Sequence, residues 1–201
     1  MIREAAVGNL REALQAQERG AERIELCENL AEEGTTPSYG TIKVCRETLR
    51  IPVVVMIRPR GGDFVYDEAE FQAMLEDIRI CRELGVDGIS TGALRADHTV
   101  DFEKMEKIAE CRGNLKITFH KAIDETPAYA ESVRELTRRG LIDRVLTSGQ
   151  KETALEGMDK IRELLNIENL EVVAAGRITR ENLPGLAAEL QTNAFHGKRI
   201  V

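Results

Sequence analysis

Eight short apolar runs alternate with seven segments of helical period along this 201-residue sequence. Such alternation predicts an α/β protein with a parallel sheet. The unit repeats about every 25 residues, which favours a closed (β/α)8 barrel of the TIM type. An open doubly wound sheet is the alternative, but the GxGxxG turn typical of its first strand is missing. No linker or low-complexity tract interrupts the chain, so we expect a single TIM-barrel domain over residues 1–201.

The predicted strands are rich in β-branched residues and are followed by polar or glycine-containing turns. In chain order they cover Ile2–Ala6, Arg23–Cys27, Val53–Arg58, Gly88–Gly92, Lys116–His120, Arg144–Ser148, Glu171–Gly176 and Ala194–His196. The chain stops about five residues after the eighth of them, so the final helix is expected to be short or missing. A partner subunit is one way to cover the exposed barrel wall, which predicts a homodimer or a larger homo-oligomer.

The helix limits carry recognisable cap signals. Helix starts are indicated at Asp67 with Glu70 three residues later, at Thr126 before Pro127, and at Thr179 before Arg180. Glycines predict the ends of three helices, at Gly20, Gly85 and Gly140.

Composition excludes several classes of function. Hydrophobic residues make up 42% of the chain and charged residues 31%, as in ordinary globular domains. The net charge of −7 argues against a nucleic-acid partner, because phosphate backbones need a basic surface. No apolar run reaches membrane-spanning length, and the first residues lack the apolar core of a signal peptide. The sequence therefore predicts a cytoplasmic protein with no membrane partner.

Alternation along the strands predicts which side chains enter the barrel. In the second strand Ile24 and Leu26 should face the helices, which turns Glu25 and Cys27 inward. The same alternation predicts that five more side chains point into the barrel: Glu4, Met56, Arg58, Thr118 and His120. Charges are costly to bury alone, so they must neutralise one another or meet a ligand. A purely structural ion-pair network and a ligand pocket are both consistent with this pattern.

Polar residues collect where strands end, which is where barrel enzymes build their sites. Arg58, Arg60 and Asp63 follow the third strand, and Asp124 follows the fifth. Guanidinium groups match carboxylate and phosphate, so the two arginines are candidates to hold an anion. His120 and Glu25 are candidates for proton transfer, while Asp63 and Asp124 are candidates to orient the arginines or His120.

The last three strands end in small and polar residues. Ser148 and Gly149 follow the sixth strand, Gly176 and Arg177 the seventh, and Gly197 and Lys198 the eighth. Glycine lets backbone amides approach an oxyanion, and the loops after strands seven and eight are the usual phosphate site of this fold. Tight turns without a ligand would use the same glycines.

The four cysteines are spread through the chain without a CxxC pair, a poor match to a zinc site or a disulfide framework. Cys45, Cys81 and Cys111 fall on apolar helix faces and are expected in the core. Cys27 differs because it ends a strand.

Several motifs together identify a family resemblance. They are RIELC (23–27), EEGTTPSYG (32–40), PVVVMIRPRGGDFVY (52–66), TFHKAID (118–124), LTSGQKETALEG (146–157) and FHG (195–197). In sequence and order they resemble the CutC family, which is named for copper homeostasis. The resemblance implies a (β/α)8 barrel, a cytoplasmic protein, a tendency to form oligomers and an association with copper(I).

The resemblance also implies two cysteine copper ligands, at the ends of strands one and two. The second matches Cys27, whereas the first falls on Ala6. Because copper(I) prefers soft sulfur donors, a paired-thiolate site is absent within one subunit, and Met56 is the remaining candidate sulfur. Two hypotheses stay open: a copper(I)-binding protein using Cys27, and an enzyme acting on a small phosphorylated or carboxylated metabolite. A third reading is a scaffold that only presents an oligomer surface.

Overall fold

Eight parallel strands close into a barrel in the computed structural model, which describes residues 1–201. The strands are β1 (Ile2–Val7), β2 (Arg23–Leu26), β3 (Val53–Met56), β4 (Gly88–Thr91), β5 (Lys116–Phe119), β6 (Arg144–Thr147), β7 (Glu171–Ala174) and β8 (Ala194–Gly197). Each pairs with its neighbours in sequence order, and β1 pairs with β8, as in the register Glu4 to His196. The (β/α)8 prediction and all eight strands are confirmed.

Seven α-helices lie between the strands. They are α1 (Leu10–Glu18), α2 (Tyr39–Thr48), α3 (Glu68–Leu84), α4 (Phe102–Cys111), α5 (Tyr129–Arg138), α6 (Met158–Arg162) and α7 (Leu183–Leu190). No helix follows β8 within the described residues, as expected. None of the helices is long and apolar enough to cross a membrane. The cytoplasmic location and the oligomeric state stay predictions.

The cap signals identify some helix limits and miss others. Asp67 and Glu70 form the predicted capping box of α3, and Gly85 ends that helix with φ +67°. By contrast, α5 begins at Tyr129 rather than beside Pro127, and α7 begins at Leu183 rather than beside Thr179. Thr126 instead ends a short 3₁₀ helix, Lys121–Glu125, that follows β5. The Thr-Pro start signal was wrong there because the chain first makes this extra turn.

The main core lies between the barrel and the helix layer. Val53, Val55 and Ile57 belong to a cluster of 50 buried residues, as their alternation predicted. Burial of each such side chain contributes about 1.5–3 kcal/mol, so this layer supplies most of the stability of the fold.

The barrel interior contains both apolar and charged side chains. A small apolar cluster on β6, β7 and β8 contains Leu146, Val173, Ala175 and Ala194. Charged and hydroxyl side chains from β1 to β5 face it, including buried Glu4, Glu25, Ser90 and Thr118. Aliphatic layers usually fill such barrels. Here buried carboxylates and hydroxyl groups share the interior with a small apolar cluster.

Candidate functional site

A cavity of about 690 Å³ opens at the carboxyl ends of the strands. Its volume lies in the range of small-molecule sites. Lining residues from the strands or the positions just after them include Ala6, Glu25, Met56, His120, Leu146, Ala175 and His196. Loop residues contribute a charged rim with the cations Lys121, Arg177, Lys198 and Arg199 and the carboxylates Glu33 and Glu152. We call this space the mouth cavity.

Glu25 is a buried carboxyl group in the wall of the mouth cavity, with 3% of its surface exposed. Its Oε2 lies 3.6 Å from Nε2 of His196, while its Oε1 has no hydrogen-bond partner. Burial raises the pKa of Glu25; the charge of His196 opposes this increase and the charge of Glu4 adds to it. A carboxyl group in this environment can take up a proton at higher pH than an exposed one.

His196 lies between two carboxyl groups. Its Nδ1 is 2.9 Å from Oε1 of Glu4, and its other ring nitrogen faces Glu25. Burial works to lower the pKa of His196, but the charges of Glu25 and Glu4 together raise it. Burial likewise opposes ionisation of Glu4, yet the partners His196 and Arg23 lower the pKa of Glu4 to about 2. Protons on Glu25 and His196 are therefore coupled.

His196 lines the mouth cavity but was not predicted as a site residue. The eighth strand was correctly located, and Phe195 packs in the outer core. Alternation therefore turns His196 inward, and this signal was available from the sequence.

Beneath His196 a column of ion pairs fills the lower barrel. Arg23 Nε bonds Glu4, and Arg23 Nη2 lies 2.7 Å from Glu171 Oε1 on β7. Arg144 Nε is 3.6 Å from the other oxygen of Glu171. Glu4, Arg23, Glu171 and Arg144 form what we call the axial column. The predicted neutralisation of buried charges thus occurs, but Glu4 pairs with Arg23 and His196 rather than with Arg58 or His120.

His120 enters the mouth cavity just after β5. The ring accepts a hydrogen bond at Nδ1 from the backbone amide of Ala122, at 3.3 Å. Its Nε2 is buried without a partner. Burial, aided by the positive charge of Arg58, lowers the pKa of His120 to about 3, so the ring is uncharged at neutral pH.

Arg58 lines the mouth cavity, but most of its guanidinium is occupied by backbone carbonyls. Nη1 donates to Glu32 at 2.7 Å and to Gly34 at 3.2 Å, and Nη2 donates to Gly62 at 2.5 Å. The group also lies 4.7 Å from the ring centroid of Phe64. Only Nε lacks a partner. Arg58 therefore joins the loops after β2 and β3, and the prediction that it holds an anion stays a prediction.

Arg60 and Asp63 lie outside the mouth cavity. Arg60 pairs with Glu70 on α3, with 2.5 Å between Nε and Oε1, and with Asp63 at 3.0 Å. Its guanidinium also lies 5.6 Å from the ring centroid of Tyr66. These two predicted anion-binding residues are thus used within the loop after β3.

Asp124 was predicted to orient the arginines or His120. Its carboxylate instead holds the loop after β6. Its carboxylate accepts hydrogen bonds from the Ser148 amide at 2.9 Å, the Ser148 hydroxyl at 3.0 Å and the Gln150 amide at 3.0 Å. Asp124 and Ser148 line a second hollow of about 420 Å³ that shares Phe64 and Lys121 with the mouth cavity.

Gly149 makes a tight turn. It has φ +69°, its amide donates to Thr147, and a Cβ there would lie 2.2 Å from the carbonyl oxygen of Gly157. This amide is already paired, so here the glycine serves the turn.

The loop after β7 has a different character. Gly176 and Arg177 line the mouth cavity. Both have positive φ, of +104° and +53° respectively. The backbone N–H groups of Gly176, Arg177 and Ile178 donate no hydrogen bond to a backbone carbonyl. Across the rim, Lys198 Nζ donates to the Leu30 carbonyl at 3.0 Å, and Arg177 pairs with Glu152. Unpaired amides in succession beside cations can receive an oxyanion.

Cys27 is buried beside Glu25, and its Sγ lies 3.7 Å from Glu25 Oε2. Burial, together with the charge of Glu25, raises the pKa of the Cys27 thiol. Cys27 and Met56 both approach Gly34. A Cβ added to Gly34 would lie 3.1 Å from the Cys27 sulfur and 3.5 Å from Cε of Met56. No three His, Cys, Asp or Glu side chains are grouped so as to hold a metal ion.

Comparisons with known proteins identify the family. The model of the CutC family matches residues 1–201. A crystal structure described as the "Putative Copper Homeostasis Protein CutC" from Streptococcus agalactiae is 35% identical, with TM-score 0.95 and full coverage of both chains.

More distant structures share the fold alone. A lysine-bound DHDPS from Cyanidioschyzon merolae is 13% identical, with TM-score 0.69, and the match covers 98% of this chain and 69% of that one. The sialic acid aldolase of Ruminococcus gnavus is 10% identical, with TM-score 0.70, covering 98% and 67%.

Proposed function

The chain belongs to the CutC family, and from this premise we propose that it is an enzyme acting on a small phosphorylated or carboxylated molecule. The molecule binds in the mouth cavity with its anionic group towards the loop after β7. Glu25 and His196 move a proton on the part of the molecule that lies between the strand ends.

One observation carries this proposal: Glu25 lines a ligand-sized cavity, and its buried Oε1 has no hydrogen-bond partner, although the nearby Ser90 hydroxyl works to lower the pKa of Glu25. A buried acceptor without a partner costs about 1–3 kcal/mol, and more if charged, so such groups are retained mainly where a ligand or water satisfies them. His196, 3.6 Å from the other oxygen, supplies a second titratable group to receive or return the proton.

The anionic end of the ligand is inferred from the loop after β7 and the rim. Gly176 and Arg177 present amides that no loop carbonyl uses, and Lys198 and Arg199 lie on the same rim. Amides and cations together favour phosphate or carboxylate over a neutral ligand.

Thermal denaturation with a panel of phosphorylated and carboxylated metabolites tests the proposal. A ligand that binds only the native state raises the melting temperature, by an amount that grows with concentration above the Kd. We expect Lys198→Met to reduce the shift and Lys43→Met, on an exposed position of α2, to leave it unchanged. Absence of a shift with every member of the panel would contradict the proposal.

Copper(I) binding is a second candidate, favoured by the two sulfur side chains that meet at Gly34. Cys27 and Met56 offer a thiol and a thioether, the donor types that copper(I) prefers. The absence of a three-residue donor group restricts this to a site of low coordination number, and the raised pKa of Cys27 opposes the thiolate.

A competition titration of the reduced protein against a copper(I) chelator tests this candidate. We expect Cys27→Ser to weaken copper(I) binding and Cys81→Ser, in the core face of α3, to leave it unchanged. Equal affinity of the wild type and Cys27→Ser would remove Cys27 as a ligand.

A further inference from the structure

We infer that His120 is a fixed, uncharged hydrogen-bond donor for a carbonyl oxygen, and that with Glu25 as proton acceptor it equips the mouth cavity to remove a proton from the adjacent carbon. The substrate class is thereby narrowed to phosphorylated or carboxylated carbonyl compounds. This inference rests on the proposed function and adds the reaction class to it.

The tautomer of His120 follows from its hydrogen bond to the backbone. The Ala122 amide can only donate, so Nδ1 of His120, 3.3 Å away, must be an acceptor without a hydrogen. In an uncharged imidazole the single N–H is then at Nε2. That nitrogen is buried, has no acceptor in the protein, and belongs to a residue that lines the mouth cavity. The N–H therefore has no acceptor within the protein, and we assign its acceptor to a ligand oxygen that enters beside it.

The orientation of the ring is held from three sides. The ring centroid of Phe64 lies 4.8 Å from that of His120, and the centroid of Phe119 lies 6.1 Å away. On the third side is Gly92, where a Cβ would lie 2.9 Å from Cε1 of the ring. A ring packed in this way cannot turn without moving its neighbours, so the donor keeps one direction.

The charge state of the ring follows from its surroundings. Arg58 is the cation facing it, and its guanidinium lies over the same Phe64 ring that packs on His120. No carboxylate forms an ion pair with His120, in contrast to His196 with its two. A second positive charge next to Arg58 is therefore disfavoured. The two histidines of the cavity therefore differ in charge: His120 stays neutral, whereas His196 is readily protonated.

The proposed step balances without any further reactant. The substrate C–H proton moves to Oε1 of Glu25, and the C–H electron pair becomes a carbon–carbon double bond. The carbonyl π pair moves onto the oxygen, whose negative charge receives the hydrogen bond from Nε2 of His120. Return of the proton to carbon restores the carbonyl. A carboxylate base and a neutral imidazole donor in one cavity are a suitable pair of groups for this chemistry.

The tautomer can be measured without a ligand. Long-range ¹H–¹⁵N correlation spectra of ¹⁵N-labelled protein distinguish the two nitrogens of each histidine. We expect Nε2 of His120 to carry the hydrogen from pH 5.5 to 8.5, without titration. Protonation at Nδ1, or a titration near the ordinary histidine value, would overturn the inference.

The reaction can be measured by hydrogen exchange in D₂O. The probes are dihydroxyacetone phosphate, fructose 6-phosphate, pyruvate and 2-oxoglutarate, and loss of the C–H signal next to the carbonyl is followed by NMR. We expect exchange of at least one probe to fall about 100-fold or more in Glu25→Gln and in His120→Phe. Glu28→Gln, exposed and outside the cavity, is the matched control.

The two proposals fail in different ways. Suppose that an anion of the panel raises the melting temperature, but the wild type exchanges the C–H of every probe no faster than Glu25→Gln does. The inference is then wrong and the proposed function stands. If no anion raises the melting temperature, both are wrong. Exchange that persists unchanged in folded His120→Phe would remove His120 from the reaction.

Discussion

Nδ1 of His196 lies 2.9 Å from Oε1 of Glu4, inside the closed barrel. This contact joins the mouth cavity to the axial column, because Glu4 also bonds Arg23. The proton affinity of His196 in the mouth cavity is thus set in part by the charges of the axial column below it. Carboxylate partners of this kind orient an imidazole and stabilise its charged form.

Removal of the Glu4 charge should lower the pKa of His196. In Glu4→Gln the hydrogen bond can persist while the attraction of the carboxylate is lost, so the imidazolium is less stable. NMR titration of His196 measures this pKa directly. Glu22→Gln, which breaks only the exposed pair with Arg3, is the control and should leave the pKa unchanged. A pKa unaffected by Glu4→Gln would show that Glu25 alone raises it.

Burial of neutral His120 should make the protein less stable in acid. The pKa of about 3 in the folded state lies below the ordinary value of about 6.5, so below pH 6.5 the unfolded state binds more protons. Stability is therefore lost as the pH falls from about 6.5 towards 3. At pH 5 the loss amounts to about 2 kcal/mol relative to pH 7.5.

Urea denaturation of wild type and His120→Phe at pH 7.5 and 5.0 isolates this contribution, since all other groups are common to both proteins. We expect the free energy of unfolding to fall between the two pH values by about 2 kcal/mol more in the wild type. Equal changes would mean that His120 becomes protonated in the folded state.

Arg58→Lys should destabilise the fold strongly. The guanidinium donates to three backbone carbonyls of two loops, and a lysine ammonium lacks the planar fork that reaches them. We expect a loss of about 2–3 kcal/mol in the free energy of unfolding. Arg138→Lys is the control: exposed Arg138 pairs only with the side chain of Glu135, so the change should alter stability by less than about 1 kcal/mol. Similar losses in both variants would contradict the structural role of Arg58.

Alanine at Gly149 should cost far more than alanine at Gly140. Both glycines have nearly the same positive φ, +69° and +68°, so the backbone strain is matched. Only at Gly149 would the added Cβ meet a backbone oxygen, that of Gly157, whereas nothing lies within 4 Å at Gly140. We expect Gly149→Ala to lower the free energy of unfolding by at least about 2 kcal/mol more than Gly140→Ala. Equal effects in urea denaturation would show that the turn relaxes freely.

The strands and the inward-facing residues could be predicted from the sequence because alternation depends only on strand geometry. Alternation turns Glu25 and His120 inward, and the structure places both in the wall of the mouth cavity. Within the predicted second and eighth strands, alternation also turns Arg23 and His196 inward. These were missed because alternation was not applied along the whole of each strand.

The partners of the arginines could not be predicted in the same way. Arg58 bonds carbonyls of the segment from Glu32 to Gly34, which lies about 25 residues earlier in the chain. Its position depends on how two irregular loops pack, and neither has a periodic pattern. The same holds for Asp124, whose partners Ser148 and Gln150 belong to a turn after β6.

The axial column also limits how this barrel can be redesigned. Arg23 contacts both Glu4 and Glu171, so neutralising any one of the three unbalances the charge around the buried Arg23 and Glu4 side chains. Aliphatic barrel interiors accept substitutions one at a time when volume is conserved. In this chain, conversion of the lower interior to hydrocarbon would have to replace opposite charges together, as a single step.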